Sequence, residues 1–218
     1  MLTFDTRTWE RSERRVRGRL GDDLVVDSDA PLLVREAGSP YVRYAFPRGD
    51  VRTDLVPDGA VRAYEGDAEL ADHVSVRWSA LDRWYEEDEE LPVGPRDPYH
   101  RVDVLRSARH VRVEIGGRTV GESRSPLAVF ETGLPAVFYL PPEDVDLELF
   151  EPTATRTGCP YKGFASYWTY RGGPGTPERT DVAWAYRDPL REVGPIAGHL
   201  AFYDSVADVL VDGVKRGG

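Results

Sequence analysis

Apolar and polar residues alternate along several short stretches of the chain. Residues 110–115 place valine or isoleucine at every second position, with arginine and glutamate between them. This alternation is typical of a β-strand with one buried face. The pair Gly116-Gly117 predicts a tight turn into a second strand at residues 118–122, because glycine accepts the positive φ that hairpin turns need.

Similar patterns recur along the chain at the spacing of an all-β fold. The further predicted strands are residues 126–131 and 135–140 in the second half, and residues 15–20, 24–27, 31–36 and 41–46 in the first. Helix signals are scarce. The best is residues 188–192, with Asp188 as N-cap and Pro189 at the first helical position.

The two halves of the chain are copies of each other. A shift of 95 residues brings many identical residues together, among them Val16, Gly21, Pro31, Glu36, Val42 and Tyr44 with Val111, Gly116, Pro126, Glu131, Val137 and Tyr139. After one deleted residue, Pro47, Asp50, Val51 and Leu55 meet Pro141, Asp144, Val145 and Leu149. We interpret the chain as a tandem duplication.

The duplication predicts an N-terminal arm at residues 1–13, a first domain at residues 14–101 and a second domain at residues 102–213. In this alignment Glu65 takes the place of Lys162, so the first copy is expected to be degenerate and mainly structural. Trp78 and Trp84 are candidates for the walls of a second pocket in that copy.

Composition narrows the classes of function. The chain has 28 basic and 38 acidic residues and a formal net charge of −10, which disfavours nucleic acid or an anionic membrane as partner. Cys159 is the only cysteine and there are four histidines, so we expect no disulfide, no metal site and no cofactor. No apolar run reaches the roughly 18 residues of a membrane helix, and no signal peptide precedes the first copy. A cytoplasmic monomer or homodimer is expected.

Aromatic residues are concentrated in the second copy. They are Tyr139, Tyr161, Tyr167, Trp168, Tyr170, Trp184, Tyr186 and Tyr203. Such residues form either the walls of a pocket for a flat or cationic molecule or the core of a small β domain. Tyr167 and Trp168 must point to opposite faces of a strand, so they cannot both line one cavity. Trp168 and Trp184 are the expected wall residues.

Three residues are candidates for catalysis: Lys162, Cys159 and His199. A lysine in an aromatic setting can act as a base or nucleophile, and a cysteine can do so with a histidine as base. The alternatives are structural. Lys162 can form an ion pair with Glu131, and Cys159 can be a small buried side chain.

The segment between the copies is charged and contains His100. With Asp97 or Asp103 this histidine can form an acid–base pair. Alternatively the segment is a charged latch between domains, in which Arg96 and Arg101 bind the carboxylates of residues 86–88.

The run at residues 156–168, which includes Cys-Pro-Tyr-Lys-Gly, resembles the bacterial family known as domain of unknown function 427. Residues 184–189, 196–203, 131–135 and 141–145 fit the same family, and residues 84–88 with 96–104 resemble its two-copy members. The resemblance extends from about Arg14 to Gly213. One departure is Gly158, where many members carry a histidine.

The resemblance implies a β-tent-like fold, in which two antiparallel sheets meet over a pocket. The zinc-binding cysteine pairs of many β-tent proteins are absent from the sequence. The family is also catalogued as a nucleotidyltransferase family, but the sequence has neither a phosphate-binding glycine loop nor a close aspartate pair.

We therefore expect an all-β protein of two tandem, homologous, β-tent-like domains with short helical turns. The expected function is binding of a small molecule in the second domain or between the domains. The expected ligand-binding residues are Glu131, Tyr139, Tyr161, Lys162, Trp168, Trp184 and Tyr186. The alternatives are an enzyme acting on a small metabolite or nucleotide through Lys162, and a protein-interaction module.

Overall fold

The structure is a computed structural model that describes residues 4–64, 66–173 and 175–217. It is an all-β architecture of antiparallel sheets with short 3-10 turns, as expected. The chain divides into two compact units, Met1–Tyr99 and His100–Gly218. No helix in the described part of the chain is long and apolar enough to cross a membrane.

The described residues form nine strands in the first unit and eleven in the second. The first nine are β1 (Thr8–Arg11), β2 (Val16–Leu20), β3 (Asp23–Ser28), β4 (Leu32–Arg35), β5 (Val42–Pro47), β6 (Val61–Ala63), β7 (His73–Val76), β8 (Arg83–Glu86) and β9 (Glu89–Glu90). The others are β10 (Val102–Arg106), β11 (Val111–Ile115), β12 (Arg118–Ser123), β13 (Leu127–Glu131), β14 (Val137–Tyr139), β15 (Phe150–Cys159), β16 (Gly163–Tyr170), β17 (Arg179–Pro189), β18 (Ala201–Phe202), β19 (Asp208–Val211) and β20 (Val214–Lys215). The 3-10 turns are Arg48–Asp50, Trp78–Ala80, Pro142–Asp144, Leu147–Leu149 and Arg191–Ile196.

The first unit packs two sheets against each other, in the orders β1-β4-β5-β7-β6 and β3-β2-β8-β9. Its main core contains Val16 and Val26 from one sheet and Leu33 and Phe46 from the other. A smaller apolar cluster covers the outer face of the five-stranded sheet and contains Val34, Ala45, Tyr64 and Leu70. Strands β4 and β5 of the five-stranded sheet therefore alternate between the two clusters.

The second unit repeats this plan with more strands. Its sheets have the orders β10-β13-β14, β12-β11-β19-β20 and β15-β16-β17-β18. Strands β14 and β18 meet at Leu140 and Leu200, whose backbones exchange two hydrogen bonds of 2.7 and 2.9 Å. One cluster fills the space facing β11, and a second covers the outer face with Leu127, Val129 and Tyr139.

Strand pairing confirms the duplication and refines its register. Strands β2–β3 and β11–β12 have the same pairing and the same bulge position, at a shift of 95 residues. In the next strand, however, Leu32 pairs with Ala45 whereas Leu127 pairs with Tyr139. The one-residue gap therefore lies in the preceding loop, and Ala45, not Tyr44, is the counterpart of Tyr139. Because of this one-residue shift, Tyr44 and Tyr139 lie on opposite faces of their sheets. Tyr44 is in the main core and Tyr139 is in the outer cluster.

The pair of strands β15 and β16 has no counterpart among the described residues of the first unit. Arg62 of β6 pairs with Ser75 of β7, just as Trp184 of β17 pairs with Ala201 of β18. Strand β6 thus corresponds to β17, and the sequence Ala63-Tyr64 corresponds to Ala185-Tyr186 rather than to residues 160–161. The first copy lacks the hairpin that carries Lys162. Glu65, which the alignment placed opposite Lys162, lies outside the described residues.

Two local expectations differ from the structure. The expected helix at residues 188–192 is wrong, because Asp188 and Pro189 end strand β17, where Pro189 pairs with Gly163. A 3-10 turn follows at Arg191–Ile196. Part of the segment expected to be an N-terminal arm, Thr8–Arg11, forms strand β1 on the edge of the first sheet, where it pairs with β4.

Candidate functional site

A cavity of about 330 Å³ lies in the second unit beside the junction of β14 and β18. Seven aromatic side chains and two pairs of oppositely charged residues contribute to its lining. The aromatic residues are Phe138, Tyr139, Tyr167, Trp184, Tyr186, Phe202 and Tyr203, and the charged ones are Glu131, Lys162, Asp204 and Arg216. Five of the seven expected ligand-binding residues line it: Glu131, Tyr139, Lys162, Trp184 and Tyr186.

Lys162 reaches the cavity from the turn between β15 and β16. The turn is closed by pairing of Cys159 with Gly163 and by the backbone N–H of Lys162, which donates to the carbonyl of Cys159 at 3.3 Å. Gly163 has φ +93°, a conformation that side-chain-bearing residues rarely adopt. The glycine after Lys162 therefore lets the chain turn back at once.

The carboxylate of Glu131 contacts two nitrogen-bearing side chains, one through each oxygen. Its Oε2 accepts from the ammonium of Lys162, and its Oε1 lies 3.0 Å from Nε2 of His100. The side chains of Lys162 and Glu131 are only 10% and 11% exposed. The His100 ring stacks on Tyr161 with centroids 3.9 Å apart. The structure thus forms the Lys162–Glu131 ion pair and places it in the cavity wall.

Trp184 is the central aromatic wall. Its indole N–H donates to the hydroxyl of Tyr139 at 3.1 Å, and its ring lies 4.3 Å from that of Tyr203. Burial raises the pKa of the Tyr139 hydroxyl above its usual range, although the hydrogen bond from Trp184 opposes this shift. The wall is therefore held by specific polar contacts as well as by packing.

Tyr186 presents a hydroxyl group to the cavity without a protein partner. The residue is 6% exposed, and its side chain makes no hydrogen bond within the described ranges. Burial raises the pKa of this hydroxyl, so the neutral O–H form is favoured. The neighbouring Tyr167 differs, because its hydroxyl is 2.7 Å from Thr157 Oγ1 and 3.4 Å from the Tyr203 hydroxyl. The Tyr186 hydroxyl is therefore a polar group of the lining whose hydrogen-bonding capacity the described residues do not use.

Two expected ligand-binding residues lie outside the cavity lining. Tyr161 stacks on His100, as described above, and Trp168 lies beneath the guanidinium of Arg187, 5.3 Å from its ring centroid. Trp168 and Tyr167 are neighbours on β16 and face opposite sides, as alternation predicts. It is Tyr167 that lines the cavity.

The two other catalytic candidates also lie outside the lining. Cys159 is free and packs against the outer cluster, and His199 is half-buried with Nδ1 3.2 Å from the carbonyl of Ala197. No hydrogen bond joins Cys159 to His199 in the described structure. Of the three candidates, the structure brings only Lys162 to the cavity.

Asp204 and Arg216 were missed by the sequence reasoning. They form an ion pair at 3.3 Å on the cavity wall. Burial raises the pKa of Asp204, and the charge of Arg216 opposes this shift. Neither residue belongs to a motif. Asp204 directly follows Tyr203 after β18, which is the one sequence signal that placed it near the aromatic group.

The charged segment before the second unit makes local contacts. Arg96 lies 3.9 Å from Glu86, and Arg101 pairs with Asp103 at 2.8 Å. Asp97 pairs with Arg35, and His100 pairs with Glu131 rather than with Asp97 or Asp103. In residues 4–64, 66–173 and 175–217, no group of three acidic, histidine or cysteine side chains is arranged to hold a metal ion.

Comparison with known proteins connects this site to a family. None of the curated proteins compared with the chain matches it. A protein family described as "Domain of unknown function (DUF427)" matches residues 8–77 and 103–213, one segment in each unit. The second segment includes the hairpin with Lys162 and every residue of the cavity lining except Arg216. Because the two segments cover most of the chain, the protein belongs to the domain of unknown function 427 family, with two copies of its domain.

Proposed function

We propose that the second unit binds a small, flat molecule that is neutral overall and carries a polar group. The observation that supports this most directly is the hydroxyl of Tyr186, which lies in the lining of an aromatic cavity and has no hydrogen-bond partner among the described residues. A ligand with a matching polar atom can pair with this hydroxyl while its ring packs against the aromatic wall.

The size and walls of the cavity suit an aromatic ring system. Its volume of about 330 Å³ is at the small end of the range for ligand sites, roughly 300–1,000 Å³. Trp184 and Tyr139 cross at 84°, so the cavity offers both a ring face and a ring edge. Aromatic ligands gain from both arrangements.

The charges in the wall favour a neutral ligand over a strongly charged one. Glu131 is balanced by Lys162, and Asp204 is balanced by Arg216. A ligand can accept a hydrogen bond from the Lys162 ammonium while it donates to a free lone pair of Glu131. A heterocycle with adjacent donor and acceptor atoms has this chemistry.

The test is a thermal-shift and calorimetric screen of the full chain against indole, quinoline, purine, benzoate and benzylamine. These probes separate neutral, anionic and cationic rings of similar size. A neutral heterocycle at about 100 times its dissociation constant should raise the free energy of unfolding by about 2.7 kcal/mol. Tyr186→Phe and Lys162→Met should each weaken that binding.

The matched control is Lys215→Met, because Lys215 is the other lysine of the chain and its side chain is 59% exposed. It should bind the probe as the wild type does. If no neutral ring binds, or if the Lys162→Met and Tyr186→Phe variants bind with unchanged affinity, the proposed site is wrong.

A second candidate function is an enzyme acting on a small metabolite or nucleotide, because the Lys162 amine lines the same cavity. Adding nucleotides with magnesium to the screen and following their turnover tests it, with Lys162→Arg as the variant. In either case the proposed partner is a small molecule rather than nucleic acid or a membrane. We further propose a cytoplasmic location, because a free cysteine fits a reducing compartment, and a bacterial source is proposed from the family resemblance alone.

A further inference from the structure

The first unit contains a cavity of about 340 Å³ at the place that corresponds to the aromatic cavity of the second unit. The correspondence follows from strand pairing. Phe46 pairs with Val74 as Leu140 pairs with Leu200. In each unit the cavity is lined by residues just before the first member of this pair and just after the second. The duplication therefore produced two cavities in one framework.

Arginines replace the apolar and aromatic wall in the first unit. The strand registers show which residues correspond. Arg43 occupies the position of Val137, and Arg62 occupies that of Trp184. Arg77 occupies the position of Tyr203. All three arginines line the cavity of the first unit, and Trp78 stands where the second unit has Asp204. No acidic residue is among the described residues of this lining.

The carboxylates nearest to this cavity already have cationic partners. Glu36 corresponds to Glu131, and it pairs with Arg7 at 3.0 Å and with Arg62 at 3.4 Å. Glu86 accepts from the Tyr44 hydroxyl at 2.7 Å and pairs with Arg14 at 2.5 Å. Glu36 therefore compensates Arg62, whereas the contacts of Glu86 in the described structure involve neither Arg43 nor Arg77.

Two of the arginines have unused hydrogen-bonding capacity. Neither Arg43 nor Arg77 makes an ion pair within the described part of the chain, and the Nε atom of Arg43 is buried without a hydrogen-bond partner. Arg43 and Arg77 thus bring two positive charges without an ion-pair partner, within the described residues, to a lining that contains no described acidic residue. An anion supplies both the opposite charge and acceptors for the free N–H groups.

An aromatic surface adjoins the arginines. Trp78 is half-buried and stacks on Trp84 with ring centroids 4.6 Å apart at 14°. Trp84 is 2% exposed, and its indole N–H donates to the carbonyl of Trp78 at 2.9 Å. The stack fixes the Trp78 ring in the lining, where a flat ligand can lie against it.

We propose that the cavity of the first unit is a second binding site, for a small oxyanion attached to a flat group, with Arg43, Arg62 and Arg77 binding the carboxylate or phosphate and Trp78 contacting the ring. The guanidinium fork matches both oxyanions, so both are included. This site is independent of the aromatic cavity in the second unit and takes a ligand of different charge.

The experiment is calorimetric titration of the full chain with phenyl phosphate, benzoate, inorganic phosphate and benzamide at low salt. Phenyl phosphate or benzoate should bind saturably, and affinity should fall as salt increases. Arg77→Met should weaken binding by about tenfold or more, because each charged hydrogen bond contributes more than a neutral one. Arg43→Met should weaken it without loss of folding, since the buried Nε has no partner to lose.

Arg52→Met is the control, because Arg52 lies in the same unit but outside the cavity and its side chain is 56% exposed. Lys162→Met separates this site from that of the second unit and should leave oxyanion binding unchanged. Relative affinities for phosphate and carboxylate identify which oxyanion the site prefers. Equal binding of benzamide, or unchanged affinity in both Arg77→Met and Arg43→Met, would overturn the proposal.

Discussion

Trp184 donates its indole N–H to the hydroxyl of Tyr139 across 3.1 Å, although the two residues are 45 positions apart in the chain. Tyr139 comes from β14 and Trp184 from β17, so the bond joins two strands that do not pair with each other. It fixes the angle between the two main walls of the cavity.

Removal of the acceptor should destabilise the second unit. In Tyr139→Phe the indole N–H of Trp184 loses its partner, and we expect the free energy of unfolding to fall by about 1–2 kcal/mol. Urea denaturation followed by tryptophan fluorescence measures this. Tyr186→Phe is the control, since that hydroxyl has no protein partner to lose among the described residues, and it should change stability by less than about 0.5 kcal/mol. Equal losses in the two variants would contradict the prediction.

The ion pair between Lys162 and Glu131 should show strong coupling. Lys162→Met or Glu131→Gln leaves one nearly buried charge without its main partner, which we expect to cost about 3 kcal/mol. The double variant should be more stable than the sum of the two single losses implies, as a double-mutant cycle in urea would measure. Lys215→Met, at an exposed pair with Asp208, should cost less than about 1 kcal/mol. Additive single losses would show that the pair does not act as a unit.

Stability should fall at high pH. Burial raises the pKa of Tyr44, Tyr139 and Tyr186 in the folded protein, whereas unfolded tyrosines ionise near pH 10. The stabilisation is thus fully present below pH of about 10 and is lost as the pH rises towards the folded-state pKa values. Each tyrosine should lower the free energy of unfolding by about 1 kcal/mol per pH unit in that window.

Urea denaturation at pH 8, 10 and 11 checks this prediction. Tyr186→Phe should match the wild type at pH 8 and show a shallower decline between pH 10 and 11, because it removes one of the three groups. A wild-type stability that is the same at pH 8 and 11 would refute the assignment of these tyrosines as buried and neutral.

Gly163 should not tolerate a side chain. At φ +93°, with the carbonyl of Asp188 3.4 Å from a new Cβ, Gly163→Ala should cost at least about 1 kcal/mol and disturb the turn that holds Lys162. Thermal unfolding and probe affinity measure both effects. Gly49→Ala is a suitable control, because its φ is not positive and no atom lies within 4 Å of the added carbon. A neutral Gly163→Ala would show that the turn relaxes freely.

Much of the fold could be predicted from the sequence because the duplication made the strand pattern visible twice. Identity alone placed the one-residue gap too late, since Val42 and Tyr44 match Val137 and Tyr139 in residue type. Backbone pairing shows the true register, and a single residue is enough to change which face a side chain occupies. The sequence contains no local signal of that reversal.

The candidate site was only partly accessible from the sequence. Glu131 and Lys162 could be paired because both were unusual charges in apolar surroundings. Of the neighbours Tyr167 and Trp168, the sequence analysis chose Trp168 as a wall residue, whereas Tyr167 lines the cavity. Alternation separates the two residues without saying which face has the cavity. Asp204 and Arg216 come together only through the fold, from positions on either side of β19.

The hairpin formed by β15 and β16 carries residues of the candidate site, whereas the strands around it belong to the framework that both copies share. The first unit forms two packed clusters from strands that both copies share. In the second unit the hairpin contributes Lys162 and Tyr167 to the cavity and pairs with β17. A hairpin that the described residues form in one copy of a duplicated protein lets the two copies take different ligands on one framework.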